Sequence, residues 1–318
     1  FKINSTGSST FDQGLLKLFG SFELVSGSFF PKSTHKTDFA SSTVVQNVSY
    51  PSLPLFGEVA ITGSQDVNFP SSTVKILGNL TLAGSGRLNA ISLELHGDLA
   101  TPRNLLSATS IRFKKINAAL PDSIDSHLIF SANQTLSKRL VVKSPTAIEL
   151  TDGTNFKLGG NEVFSEGDFI AQAGTSLTLD NSADTLNVFN GNLILNGITG
   201  NVSSGAVRLE QNGTFSNLTF SSDGHLIVGG NKPQELDSLF TVPKLTIEKD
   251  GNGIQLKHNL AITNIFTKKD TNTVGLKTKG NELVFKNVDV HRLNIDSSYV
   301  TFQTNGITNF REIGFTNT

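Results

Sequence analysis

Three of the chain's six histidines, His225, His258 and His291, recur at equal intervals, each just before an apolar strand. In a stacked fold, equal spacing would align imidazoles into a stripe that takes a transition metal or titrates near neutral pH. The competing reading is histidines at unrelated turn edges, and the lack of any HxH or HExxH spacing favours it. The other three, His35, His96 and His127, are isolated. Three acidic pairs, Asp122/Asp125, Asp180/Asp184 and Glu235/Asp237, are of the type that serves acid–base work or calcium in polysaccharide-cutting enzymes. Each sits in a turn-like stretch with no basic motif beside it, so no catalytic residue is assigned. Asp250-Gly251-Asn252-Gly253 opens like a calcium loop, yet lacks the later oxygen ligands and the closing Glu. It reads as a tight turn. Gly84-Ser85-Gly86 lacks the strand-to-helix context of a phosphate loop, and no GxSxG elbow occurs. No metal ligand and no cofactor-binding residue is assigned.

The elements that would position these residues are strands. Val74 to Leu82, Ser92 to Leu95, Ser176 to Leu179, Ala206 to Leu209, Lys244 to Ile247 and Ser298 to Phe302 alternate apolar with polar. That period buries one face of a strand and wets the other. Gly78-Asn79, Asp152-Gly153, Asn190-Gly191, Asn196-Gly197, Asn212-Gly213 and Asp250-Gly251 read as turns. Helical signal is confined to Asp12–Phe19, which reads equally well as a strand, and to one turn over Gln234–Phe240. Short strands with links of uneven length fit a parallel β-solenoid better than hairpin-built sandwiches. The expected fold is all-β: a right-handed parallel β-helix with irregular coils of roughly 25 residues. One elongated solenoid over 1–318 is expected, with internal repeat units near 51–132, 133–231 and 232–318 and irregular coils over 1–45.

Composition narrows the function. The 26 basic and 27 acidic side chains are well mixed, which gives no electrostatic footprint for nucleic acid. No apolar run is long enough to span a bilayer. Charged residues make up 17%, below the roughly 25% of ordinary chains, and Ser, Thr and Asn take their place. Cys, Met and Trp are absent, which removes disulfides and thiolate chemistry. From the missing Met a mature or excised piece is expected, with any signal peptide or sorting tail outside it.

Phe30–Leu99 and Ser203–Phe285 resemble the β-solenoid repeats of large secreted surface proteins of Bacteroidota. The phrase that carries the likeness is Val44-Val45-Gln46-Asn47-Val48-Ser49-Tyr50, then Leu55, Ile61 and Gly78-Asn79-Leu80-Thr81-Leu82. A later copy reads Phe215-Ser216-Asn217-Leu218-Thr219-Phe220, then Leu226-Ile227-Val228-Gly229-Gly230-Asn231. The resemblance implies an adhesin, stalk or filament subunit exported to the cell surface, often by the type IX route. The expected function is therefore a non-catalytic extracellular segment without cofactor. Its partners would be further copies stacked end to end, a glycan, or a neighbouring cell surface. A polysaccharide lyase or hydrolase, or a glycan-binding module, on the same β-helix is the alternative. Asp122-Ser123-Ile124, Asp184-Thr185-Leu186 and Asp237-Ser238-Leu239 fit a short O-glycosylation pattern, and seven N-x-S/T sequons start at Asn4, Asn47, Asn79, Asn133, Asn201, Asn212 and Asn217. Arg112–Lys115 and Lys268-Lys269 read as solvated loops. Phe215, Phe220, Phe285, Phe302 and Phe310 read as core, leaving Tyr50 and Tyr299 as the polar-rimmed rings.

Overall fold

A computed structural model describes residues 1–51, 54–69, 73–101, 105–143, 147–249, 253–268, 274–277, 281–286, 290–296, 300–303 and 310–315. Among the described residues there is no helix, and parallel strands stack as a β-solenoid of about 12 turns. The two helix candidates are strands, Gly14–Leu18 and Gln234–Asp237. Contacts divide the chain into two compact units. One is Phe1–Gln134 with Leu140–Thr146, and the other is Thr135–Arg139 with Ala147–Thr318.

In the first unit, the alternating strands place every second side chain inward, and parallel register stacks these on one another. Phe56, Ile76, Leu95, Phe113 and Phe130 pair in succession, none more than 1% exposed. A second face stacks Leu18, Phe39, Ile61 and Leu82 in the same way. Around Phe56 the rings of Phe22, Phe29, Phe39, Tyr50 and Phe69 close in, with centroids 5.5 to 6.2 Å away. Polar residues stack too. The Asn68 side-chain amide donates to Asn47 Oδ1 at 3.0 Å, and that of Asn89 donates to Asn68 Oδ1 at 2.8 Å. A carboxamide has a donor and an acceptor on opposite sides, so identical amides one strand spacing apart satisfy each other along the stack.

The second unit repeats the principle with Val163, Leu186, Val207, Leu226 and Leu245 in one inward line. Ile148, Phe169 and Leu193 form another, which Gly213 then interrupts. Asn212-Gly213 is therefore not a turn. Gly213 lies inside the strand Gly213–Phe215, where the Leu209 and Phe215 side chains occupy the space its own would need. Asp152-Gly153 and Asn190 do turn the chain, with positive φ at all three residues.

Coil lengths vary and run below the expected value. The step from Phe113 to its partner Phe130 is short, whereas the step from Phe169 to its partner Leu193 is distinctly longer. The strands hold register at both inward and outward positions, so the corners absorb the difference.

Candidate functional site

A cleft in the first unit lies on the outward side of the sheet that contains Thr73–Ile76 and Leu88–Leu95. With Leu93 and Leu95 turned into the core, Ser92 and Glu94 must face out. Parallel register sets Glu94 beside Lys75 and Ser92 beside Thr73. Lys75 Nζ lies 3.2 Å from Glu94 Oε1, and His96 Nε2, just beyond the strand, lies 2.7 Å from the same oxygen. Partial burial pushes the Glu94 carboxyl up. The hydrogen bonds and charges of His96 and Lys75 outweigh this and hold it below the usual carboxylate range. On its other side Lys75 pairs with Leu55. Pro54 and Leu55 form the apolar edge of the cleft, which measures about 440 Å³ and is lined also by Thr73, Lys75 and Glu94.

This cluster was not among the residues singled out by motif. Its signal is present, however: the interval from Lys75 to Glu94 is the span of one coil at that place. Beside it, Asp98 accepts from Lys115 at 2.5 Å and from the Ala119 amide at 2.7 Å. Burial raises its pKa, but these donors more than compensate and lower it overall. Arg112, expected in a loop, lies near the end of the strand Leu106–Phe113 and donates to Ser131 Oγ at 2.7 Å.

The histidine stripe does not form between His225 and His258. In register, His225 stands between Ala206 and Lys244, and its ring lies 2.8 Å from Thr246 Oγ1. His258 lies in the turn after Ile254–Leu256, 3.0 Å from Asp237 Oδ1. One coil carries His225 to Lys244 and a second carries Lys244 to Ile265. The interval from His225 to His258 is longer than the first step and shorter than both together, so the two rings fall on different faces. The side chain of His291 lies outside the described residues, as do Asp250 to Asn252, Lys269 and Tyr299.

Of the acidic pairs, Asp184, Glu235 and Asp237 are taken up in structural contacts, while Asp122, Asp125 and Asp180 stand exposed on the surface and are not brought together with a further carboxylate among the described residues. Asp184 is fully buried and accepts the amides of Gly160, Asp180 and Asn181 at 2.6, 2.9 and 3.0 Å. It pins a corner. Glu235 pairs with Lys257 at 3.2 Å. Asp237 meets His258 and accepts from Ser238 Oγ at 3.2 Å. Among the described residues, no group of three or more His, Cys, Asp or Glu could hold a metal ion, and no helix is long and apolar enough to cross a membrane. Phe215, Phe220 and Phe285 are core residues as expected, while the side chains of Phe302 and Phe310 lie outside the described set. Tyr50 is packed against Phe22 and donates to the Leu55 carbonyl at 3.3 Å, and burial pushes its phenol pKa up.

Two buried bases carry a pH signature. His35 is 2% exposed, its ring lies 5.1 Å from Phe11 and 6.0 Å from Phe29, and its Nδ1 has no hydrogen-bond partner among the described residues. Burial lowers its pKa from 6.5. The unfolded chain therefore binds the proton first, and stability falls as the pH drops below 6.5. Thermal melts between pH 7 and pH 5 are expected to show a smaller drop for His35→Leu than for the wild type. Lys249 is 2% exposed and donates to the Lys232 carbonyl at 2.6 Å and to Gln234 Oε1 at 2.8 Å, and burial lowers its pKa to about 8. Between about pH 8 and pH 10 the unfolded state holds the extra proton, so stability rises with pH across that window. In Lys249→Met this rise is expected to be missing from urea melts at pH 7.5 and pH 10.

Comparison with protein-family models, with curated proteins and with solved structures returns no match.

Proposed function

We propose that the chain is a non-catalytic structural and adhesive segment displayed on the outside of a bacterial cell, as a stalk or as a filament subunit. The observation that carries this reading is the fate of one member of the Asp180/Asp184 pair and both of the Glu235/Asp237 pair. Asp184, Glu235 and Asp237 are consumed by corner amides, a lysine and a histidine, and the inward rungs of each unit provide a continuous core. A Ser/Thr/Asn-rich skin of low charge then presents surface or spacing. Immunogold labelling of intact source cells with antibodies to the chain tests this. Label on the outer face is expected, and label confined to the interior overturns the reading. Release of reducing ends from polysaccharides by the purified chain would instead favour the lyase or hydrolase alternative.

A further inference from the structure

We infer that the cleft bordered by Pro54, Leu55, Lys75 and Glu94 binds a neutral hexopyranose unit of a polysaccharide through adjacent hydroxyls. The inference rests on the adhesive reading above and assigns it a site. Both neighbours of the Glu94 carboxylate, Lys75 Nζ at 3.2 Å and His96 Nε2 at 2.7 Å, approach Oε1. Oε2 takes no hydrogen bond among the described residues, and an ammonium has three donors of which Glu94 uses one. The cleft thus presents a spare carboxylate acceptor next to spare ammonium donors, with the Thr73 hydroxyl alongside. A sugar hydroxyl is both donor and acceptor. Two vicinal hydroxyls match this set, one donating to Oε2 and the other accepting from Nζ.

The remaining edge is apolar. Pro54 and Leu55 offer aliphatic surface to the C–H face of a pyranose, and a volume of about 440 Å³ admits one or two rings. Charge balance selects among sugars. Lys75 is already neutralised by Glu94, whose carboxyl is held ionised by its two partners, so the carboxylate of a uronate would find no uncompensated cation in the cleft. A neutral sugar requires none.

Affinity electrophoresis of the full chain tests the assignment, in gels cast with a β-glucan, with a mannan, or with polygalacturonate. Retardation is expected in at least one neutral gel and should vanish after periodate cleaves the vicinal diols of that polysaccharide. Glu94→Gln keeps the shape but removes the charged acceptor, and is expected to weaken binding about tenfold, with Lys75→Ala at least as severe. Circular dichroism of both variants checks folding. No retardation in any neutral gel, retardation by polygalacturonate alone, or retardation unchanged by Glu94→Gln would each overturn the site. Surface labelling of intact cells is unaffected by any of these results, so failure of the site and failure of the adhesive reading are told apart.

Discussion

Phe56→Ala is expected to destabilise the first unit by about 3–5 kcal/mol, the largest loss from any single truncation proposed. Phe56 is fully buried, begins an inward line that continues through Ile76, Leu95, Phe113 and Phe130, and meets five aromatic rings. Removing the ring forfeits its transfer free energy and leaves a void. The rings around it belong to several coils fixed by backbone hydrogen bonds, such as that from the Leu77 amide to the Phe56 carbonyl at 2.9 Å. They cannot all relax inward together, which places the cost at the upper end. Because the chain has two compact units, a single melting midpoint would blur the effect. Hydrogen exchange resolved by peptide is the suitable readout. Amides of the strands Phe22–Pro31, His35–Phe39 and Thr73–Ile76 should lose protection, while those of Val163, Leu186 and Val207 should keep it. Equal loss in both sets, or a change below about 1 kcal/mol, would show that the ring cluster does not carry the core.

Gly84→Ala is expected to cost on the order of 3 kcal/mol or more, although it adds one methyl group and the φ there is not positive. The cause is proximity of backbones. A Cβ at Gly84 would lie 2.0 Å from the Gly63 carbonyl oxygen of the preceding coil. Neither side gives way easily: Ala83 and Gly84 both donate to the Ile61 carbonyl at 2.9 Å, and Gly86 donates to the Gly63 carbonyl at 3.1 Å. The two coils must separate at that corner, breaking these bonds. Gly20→Ala is the matched control, with open space around the added carbon, and should change stability by less than about 0.5 kcal/mol. Urea unfolding of the two variants side by side decides the matter. Equal stabilities would show that the corners are loosely packed.

The all-β stacked architecture is legible because strand alternation has a period of two and leaves its mark within a few positions. Alternation alone assigns Val74, Ile76, Leu80 and Leu82 inward, and all four are buried. Coil length is less legible, since it is set at corners where Gly, Asn and Ser tolerate many geometries. That gap explains the failure of the histidine stripe: the interval between His225 and His258 has meaning only against the shorter step from His225 to Lys244. It also hides Lys75 and Glu94, which belong to different strands and become neighbours through register alone. Asn212-Gly213 misleads for another reason. Its dipeptide favours a turn locally, but the rung leaves room there only for a residue without a side chain, and tertiary packing prevails over local propensity.

Register in this fold ties each residue to one roughly a coil away, whatever the total length. Leu186 answers to Val163 and Val207, and to nothing more remote along that line. A duplication or deletion of one whole coil would therefore leave every other pairing intact, whereas the gain or loss of a pair of positions within a strand would slip an entire rung. The gene for such a chain has a natural unit of change, the stretch of codons that encodes one coil. Growth by that unit lengthens the body without redesign of its interior.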